Sequence, residues 1–136
     1  MTWTMFFARC VLIALAALVI GIAINLRMRG GLGEQKLFDP LVYLALVWYG
    51  TFHIVALSVA RMLSLILSLI SSIRVRAILF LSLAVIGFLA SIYLENSRKV
   101  GGVSLFTICW GSLVLISLDY AWNVNRQHRG EAPSPP

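Results

Sequence analysis

Charge is scarce in this sequence. Only 12% of its 136 residues are Asp, Glu, Lys or Arg, and five of them are acidic. A soluble domain carries about 25% charged residues, so this chain cannot dress its surface for water. Cysteine is as sparse: Cys10 and Cys109 stand alone, each inside an apolar run. Two isolated cysteines give neither a disulfide framework nor the paired spacing of a zinc site. Histidine is limited to His53 and His128. His128 lies in the polar tail, so a haem held between two histidines of one bundle is not expected.

Catalytic pattern is lacking too. No two acids stand at short spacing for acid–base work, and no serine or cysteine sits beside a histidine in a nucleophile motif. The glycine-rich segment 29–33 follows no strand and precedes no Gly-Lys-Ser/Thr, which excludes a phosphate-cradling loop. Eleven Lys and Arg residues give a net charge of +6. They are dispersed over every connection rather than gathered on a face with interleaved aromatics, which argues against nucleic acid and for attraction to anionic lipid. The first apolar run carries no acid and no Cys-X-X-Cys occurs, so neither a carboxylate-coupled small multidrug transporter nor a membrane thiol oxidoreductase fits. The expectation is a non-enzyme with no cofactor and no metal.

What is abundant is hydrocarbon: 60% of the residues are hydrophobic, arranged in four long runs. A bilayer core of about 30 Å needs about 20 apolar residues in a helix. The runs predict membrane spans at about 6–26, 41–64, 77–94 and 103–122, with a polar tail at 123–136, all in one domain. The fold class expected is all-α: an integral membrane four-helix up-down antiparallel bundle. The first run follows an aromatic stretch and ends in Asn-Leu-Arg-Met-Arg, the marks of a retained span rather than a cleaved leader. Asp39–Pro40 reads as a cap followed by proline at the first helical position.

The second helix has no evident stop, because neither glycine nor proline stands between Gly50 and Gly87. Its pattern predicts a long helix, with an extension beyond the span to about residue 72. Within it Ala56, Ala60, Ser64, Ser68 and Ser72 recur every fourth residue. Residues four apart stack on one helical face, so these five make a narrow stripe on which another helix can approach closely. Ala17, Gly21 and Asn25 form a shorter stripe of the same kind.

Two charges fall near or inside spans, Arg61 and Asp119. Their similar depths suggest a pair that fixes helix register, with Arg9 as a competitor for the carboxylate, since an unpaired charge in hydrocarbon is costly. His53 and Asn25 are the other intramembrane polar groups, and a hydrogen bond from His53 to Thr107 or Ser112 is the simplest outcome. In the expected topology one side carries Arg9, Arg61, Arg74, Arg76, Arg126 and Arg129, and the other Arg27, Arg29, Lys36, Arg98 and Lys99. The positive-inside rule then leans to cytoplasmic termini.

The function expected is contact. The chain would be an accessory or assembly subunit of a membrane complex, or a protein that restrains a partner as an immunity protein does. Its partners would be the lipid bilayer, itself or other membrane subunits, and no nucleic acid. The competing expectation is a small homo-oligomeric pore with the serine stripe in its lumen, including lysis- or defence-type effectors.

Overall fold

A computed structural model describes residues 3–28, 40–98 and 103–130. They form four α-helices: α1 (Trp3–Met28), α2 (Pro40–Leu67), α3 (Ile73–Ser97) and α4 (Leu105–His128). The fold is all-α, and each helix is long and apolar enough to cross a membrane. Asp39, the glycine-rich segment and residues 131–136 lie outside the described residues, although Pro40 does open α2 as expected.

Helix α4 is the centre. Cys109, Ser112 and Ser117 are wholly buried and Ile116 nearly so, and Thr107, Ile108, Leu113 and Val124 complete its buried set. It packs most extensively on α3, then on α1, and less on α2. The physical reason is side-chain size: serine and cysteine hold neighbouring backbones close without leaving voids. Yet α4 is the least hydropathic of the four helices. Leu12, Val19, Leu44, Val47 and Ile86, by contrast, stand exposed on the outer faces. The polarity gradient thus runs opposite to that of a soluble protein.

Close approach is sharpest at two glycines. A Cβ at Gly87 of α3 would lie 2.3 Å from Cε3 of Trp110, and one at Gly21 of α1 would lie 2.5 Å from Cδ1 of Ile108. The α1 stripe therefore works as a packing face: Ala17 and Gly21 are buried. Around it Leu18, Tyr49, Ile108 and Cys109 form an apolar cluster joining α1, α2 and α4.

The long rod expected to reach residue 72 ends at Leu67. Serines make the stop that glycine and proline do not. The Ser68 and Ser71 hydroxyls donate to the carbonyls of Leu65 and Leu67 at 2.6 and 3.0 Å, satisfying backbone groups the ending helix releases. Ser72 then takes an extended conformation and caps α3, its side chain accepting from the Val75 N–H. At the other end of the chain, the polar tail expected from 123 is helical to His128. Arg126 and His128 sit in the last turn, where a cation favours the helix dipole. Gly130, at φ 71°, provides the left-handed residue that follows many helices.

Gly50 of α2 meets nothing within 4 Å, so it and Gly87 form a matched test. Gly50→Ala gains helix propensity and is expected to raise stability by up to about 1 kcal/mol. Gly87→Ala makes the same gain but overpacks Trp110, at a cost of about 1–3 kcal/mol, and is expected to lower the melting temperature in detergent. Equal behaviour of the two variants would rule out the tight α3–α4 contact.

Candidate functional site

Asp119 of α4 receives Arg9 of α1 in a two-pronged contact: Nε donates to Oδ2 at 3.0 Å and a terminal nitrogen to Oδ1 at 2.5 Å. Asn123, one turn on, donates to the Asp119 carbonyl at 2.8 Å and to Oδ2 at 3.3 Å. Both carboxylate oxygens thus face Arg9, the competitor expected beside Arg61. The reason is lateral: α4 packs on α1 along the Ala17–Gly21 face, which carries Arg9 to the carboxylate. A planar guanidinium then matches a carboxylate with two parallel bonds.

At the other end of α1, the Asn25 side-chain amide pairs with the backbone of Val103. Its Nδ2 donates to the Val103 carbonyl at 2.8 Å, and its Oδ1 accepts from the Val103 N–H at 2.7 Å. The start of α4 is also held from α3. One Glu95 carboxylate oxygen accepts from the Ser104 N–H, and the other accepts from the Thr107 hydroxyl at 2.8 Å. Ser104 caps α4 by accepting from the Thr107 N–H at 3.2 Å. A helix N-terminus exposes unpaired N–H groups and a partial positive charge, so a carboxylate and an amide oxygen are the groups suited to it. Glu95 was not legible in the sequence as a partner of α4. It reads there as the first residue of a polar loop, and its capping contact is made from another helix rather than at the local spacing of a capping box.

His53 sits at the α2–α4 contact. Its Nδ1 faces the Tyr49 carbonyl at 2.8 Å, and its Nε2 meets the Ser112 hydroxyl, one of the two partners expected. Ser112 also lies within 2.7 Å of the Cys109 carbonyl. A carbonyl only accepts, so Nδ1 carries a proton. Tyr49 packs its ring 4.4 Å from the imidazole and donates its hydroxyl to the Ala14 carbonyl of α1 at 2.8 Å. Histidine and serine together are the atoms of a base and its nucleophile. Here both imidazole nitrogens are engaged, and Ser112 is fully buried. Among the described residues no three His, Cys, Asp or Glu side chains gather where a metal could bind.

The stripe on α2 divides. Ala56, Ala60 and Ser64 are half-buried and line an apolar cleft of about 580 Å³, with α2 and α3 as its sides and α4 as its floor. Ser68 and Ser72 are exposed in the turn between α2 and α3. Arg61 lines the same cleft, as does Arg76, which donates to the Ser64 carbonyl and hydroxyl, each at 3.2 Å. Comparison with protein-family models, with curated proteins and with solved structures finds no match.

The Arg9–Asp119 pair is partly exposed, with side-chain accessibilities of 47% and 22%. A double-mutant cycle with Arg9→Met and Asp119→Ala is expected to give a coupling of about 0.5–1 kcal/mol in detergent. Strictly additive losses would remove the pair as a link between α1 and α4.

Proposed function

We propose that this chain is a multi-pass integral membrane protein, an up-down antiparallel bundle with both termini on the cytoplasmic side. We propose that it works without catalysis, through helix contacts, as an accessory or assembly subunit of a membrane complex or as a protein that restrains a membrane partner. The pattern of end contacts supports the topology. The beginning of α1 meets the end of α4 through Arg9 and Asp119, and the end of α1 meets the beginning of α4 through Asn25 and Val103. The end of α3 reaches the beginning of α4 through Glu95. The end of α2 meets the beginning of α3 through Ser64 and Arg76.

One observation carries the functional reading. Arg9, Tyr49, His53, Glu95, Ser112 and Asp119 join one helix to another, and Asn25 joins α1 to Val103 just before α4. Polar groups used in this way hold a scaffold in hydrocarbon, and what the scaffold offers outward is apolar surface. A subunit that acts by contact needs no more than that.

The test is reconstitution of the purified full chain into vesicles holding a trapped dye and an ion gradient. Both are expected to persist, while cross-linking in native membranes captures a second kind of subunit. An ion leak that falls when Ser64→Leu or Ser68→Leu is introduced contradicts the contact reading and supports a homo-oligomeric pore.

A further inference from the structure

The cleft beside α2 differs from the rest of the apolar surface in having a polar end. Helices α2 and α3 touch sparingly, and the space between them is floored by α4. Its volume of about 580 Å³ falls within the roughly 300–1,000 Å³ of small-ligand pockets. Trp48, Phe52, Leu83 and Trp110 are among the side chains that make the walls hydrocarbon, while Arg61, Ser64 and Arg76 bring polar atoms to it.

We propose that the cleft binds an anionic phospholipid, with an acyl chain in the apolar trough and the headgroup phosphate held by Arg61 and Arg76. This deepens the proposed function and rests on its membrane reading. Ser64 lies three residues after Arg61, so the two are neighbours on one helical face. Arg76 is bonded to Ser64. Arg61 and Arg76 therefore both belong to the stretch of the cleft around Ser64. The Nε of Arg76 is buried and has no hydrogen-bond partner among the described residues, and a phosphate oxygen is the acceptor a guanidinium fork suits best. None of the described residues lining the cleft is acidic. Asp119, next to the lining residue Tyr120, has its charge met by Arg9.

Depth agrees with the chemistry. Arg61 lies six residues before the end of α2, about 9 Å along the axis, and Arg76 three residues after the start of α3, about 4.5 Å. Helices α2 and α3 are both longer than a bilayer core requires, so both arginines reach the headgroup level. Charge also selects this occupant over a second copy of the chain. A copy brings a net charge of +6 to a cleft already basic, whereas an anionic headgroup complements it.

Tryptophan quenching by brominated acyl chains tests the site. Trp3→Phe with Trp122→Phe leaves Trp48 and Trp110 as the fluorophores, and both line the cleft. The full chain is reconstituted in phosphatidylcholine vesicles with either brominated phosphatidylglycerol or brominated phosphatidylcholine at low mole fraction. Phosphatidylglycerol is expected to associate more tightly, by about fivefold for each arginine. Arg61→Gln and Arg76→Gln should each reduce that preference, and Ala60→Leu, which fills the trough, should abolish it. Arg61 is exposed, so its variant keeps the test open if Arg76→Gln misfolds. A chain that floats with vesicles yet shows no preference overturns this inference alone. So does a preference that persists in Ala60→Leu, which would place the lipid on the general surface, or quenching lost on self-association, which would give the cleft to a second copy. A chain that fails to float with vesicles overturns the membrane reading and this site with it.

Discussion

In the proposed membrane setting, helices with hydrocarbon on their outer faces gain little by meeting one another, because lipid is as good a neighbour as leucine. What can hold them is closeness of backbone approach and the demand of polar groups for partners. Helix α4 supplies both. Its wholly buried Cys109, Ser112 and Ser117 admit α1, α2 and α3, and its beginning is clasped by Asn25 from one side and Glu95 from another. Near its far end Asp119 takes Arg9. The other three helices are arranged around these points, and α2, which has the fewest of them, is the one that stands apart to leave a cleft.

The four helices were legible because each apolar run is long enough for a helix that crosses a bilayer. The partner of Asp119 was legible only as a choice between Arg61 and Arg9. Depth along an axis can be counted from a sequence, but which helix lies alongside cannot, and Arg9 stands on the helix that packs against α4. The end of α2 was hidden for a different reason. Serine both tolerates a helix and can finish one by bonding its own backbone, so Ser68, Ser71 and Ser72 gave no sign of which they would do. Glu95 was overlooked because its contact with Ser104 and Thr107 bridges two helices. His53 was readable to the extent that a lone buried imidazole needs a hydroxyl from a neighbouring helix, and Ser112 was one of two within plausible reach.

The spacing that drew most attention, the four-residue stripe of α2, does not form the principal seam within one chain. Ala56, Ala60 and Ser64 face the cleft instead, while the seam belongs to α4, the least hydropathic helix. This inversion fits the proposed lipid surroundings. In a chain whose exterior meets lipid, the segment richest in small polar residues is the one drawn inward, and periodic small residues elsewhere are free to shape a surface for something other than the chain's own helices.

If α4 is the axis, its buried positions are the ones that cannot take a larger side chain. Thermal unfolding of a leucine panel in a single detergent measures this directly. Cys109→Leu, Ser112→Leu and Ser117→Leu are each expected to lower the melting temperature sharply, and Ala56→Leu and Ala60→Leu to leave it nearly unchanged. The reverse order, with the α2 positions intolerant and the α4 positions indifferent, would contradict it.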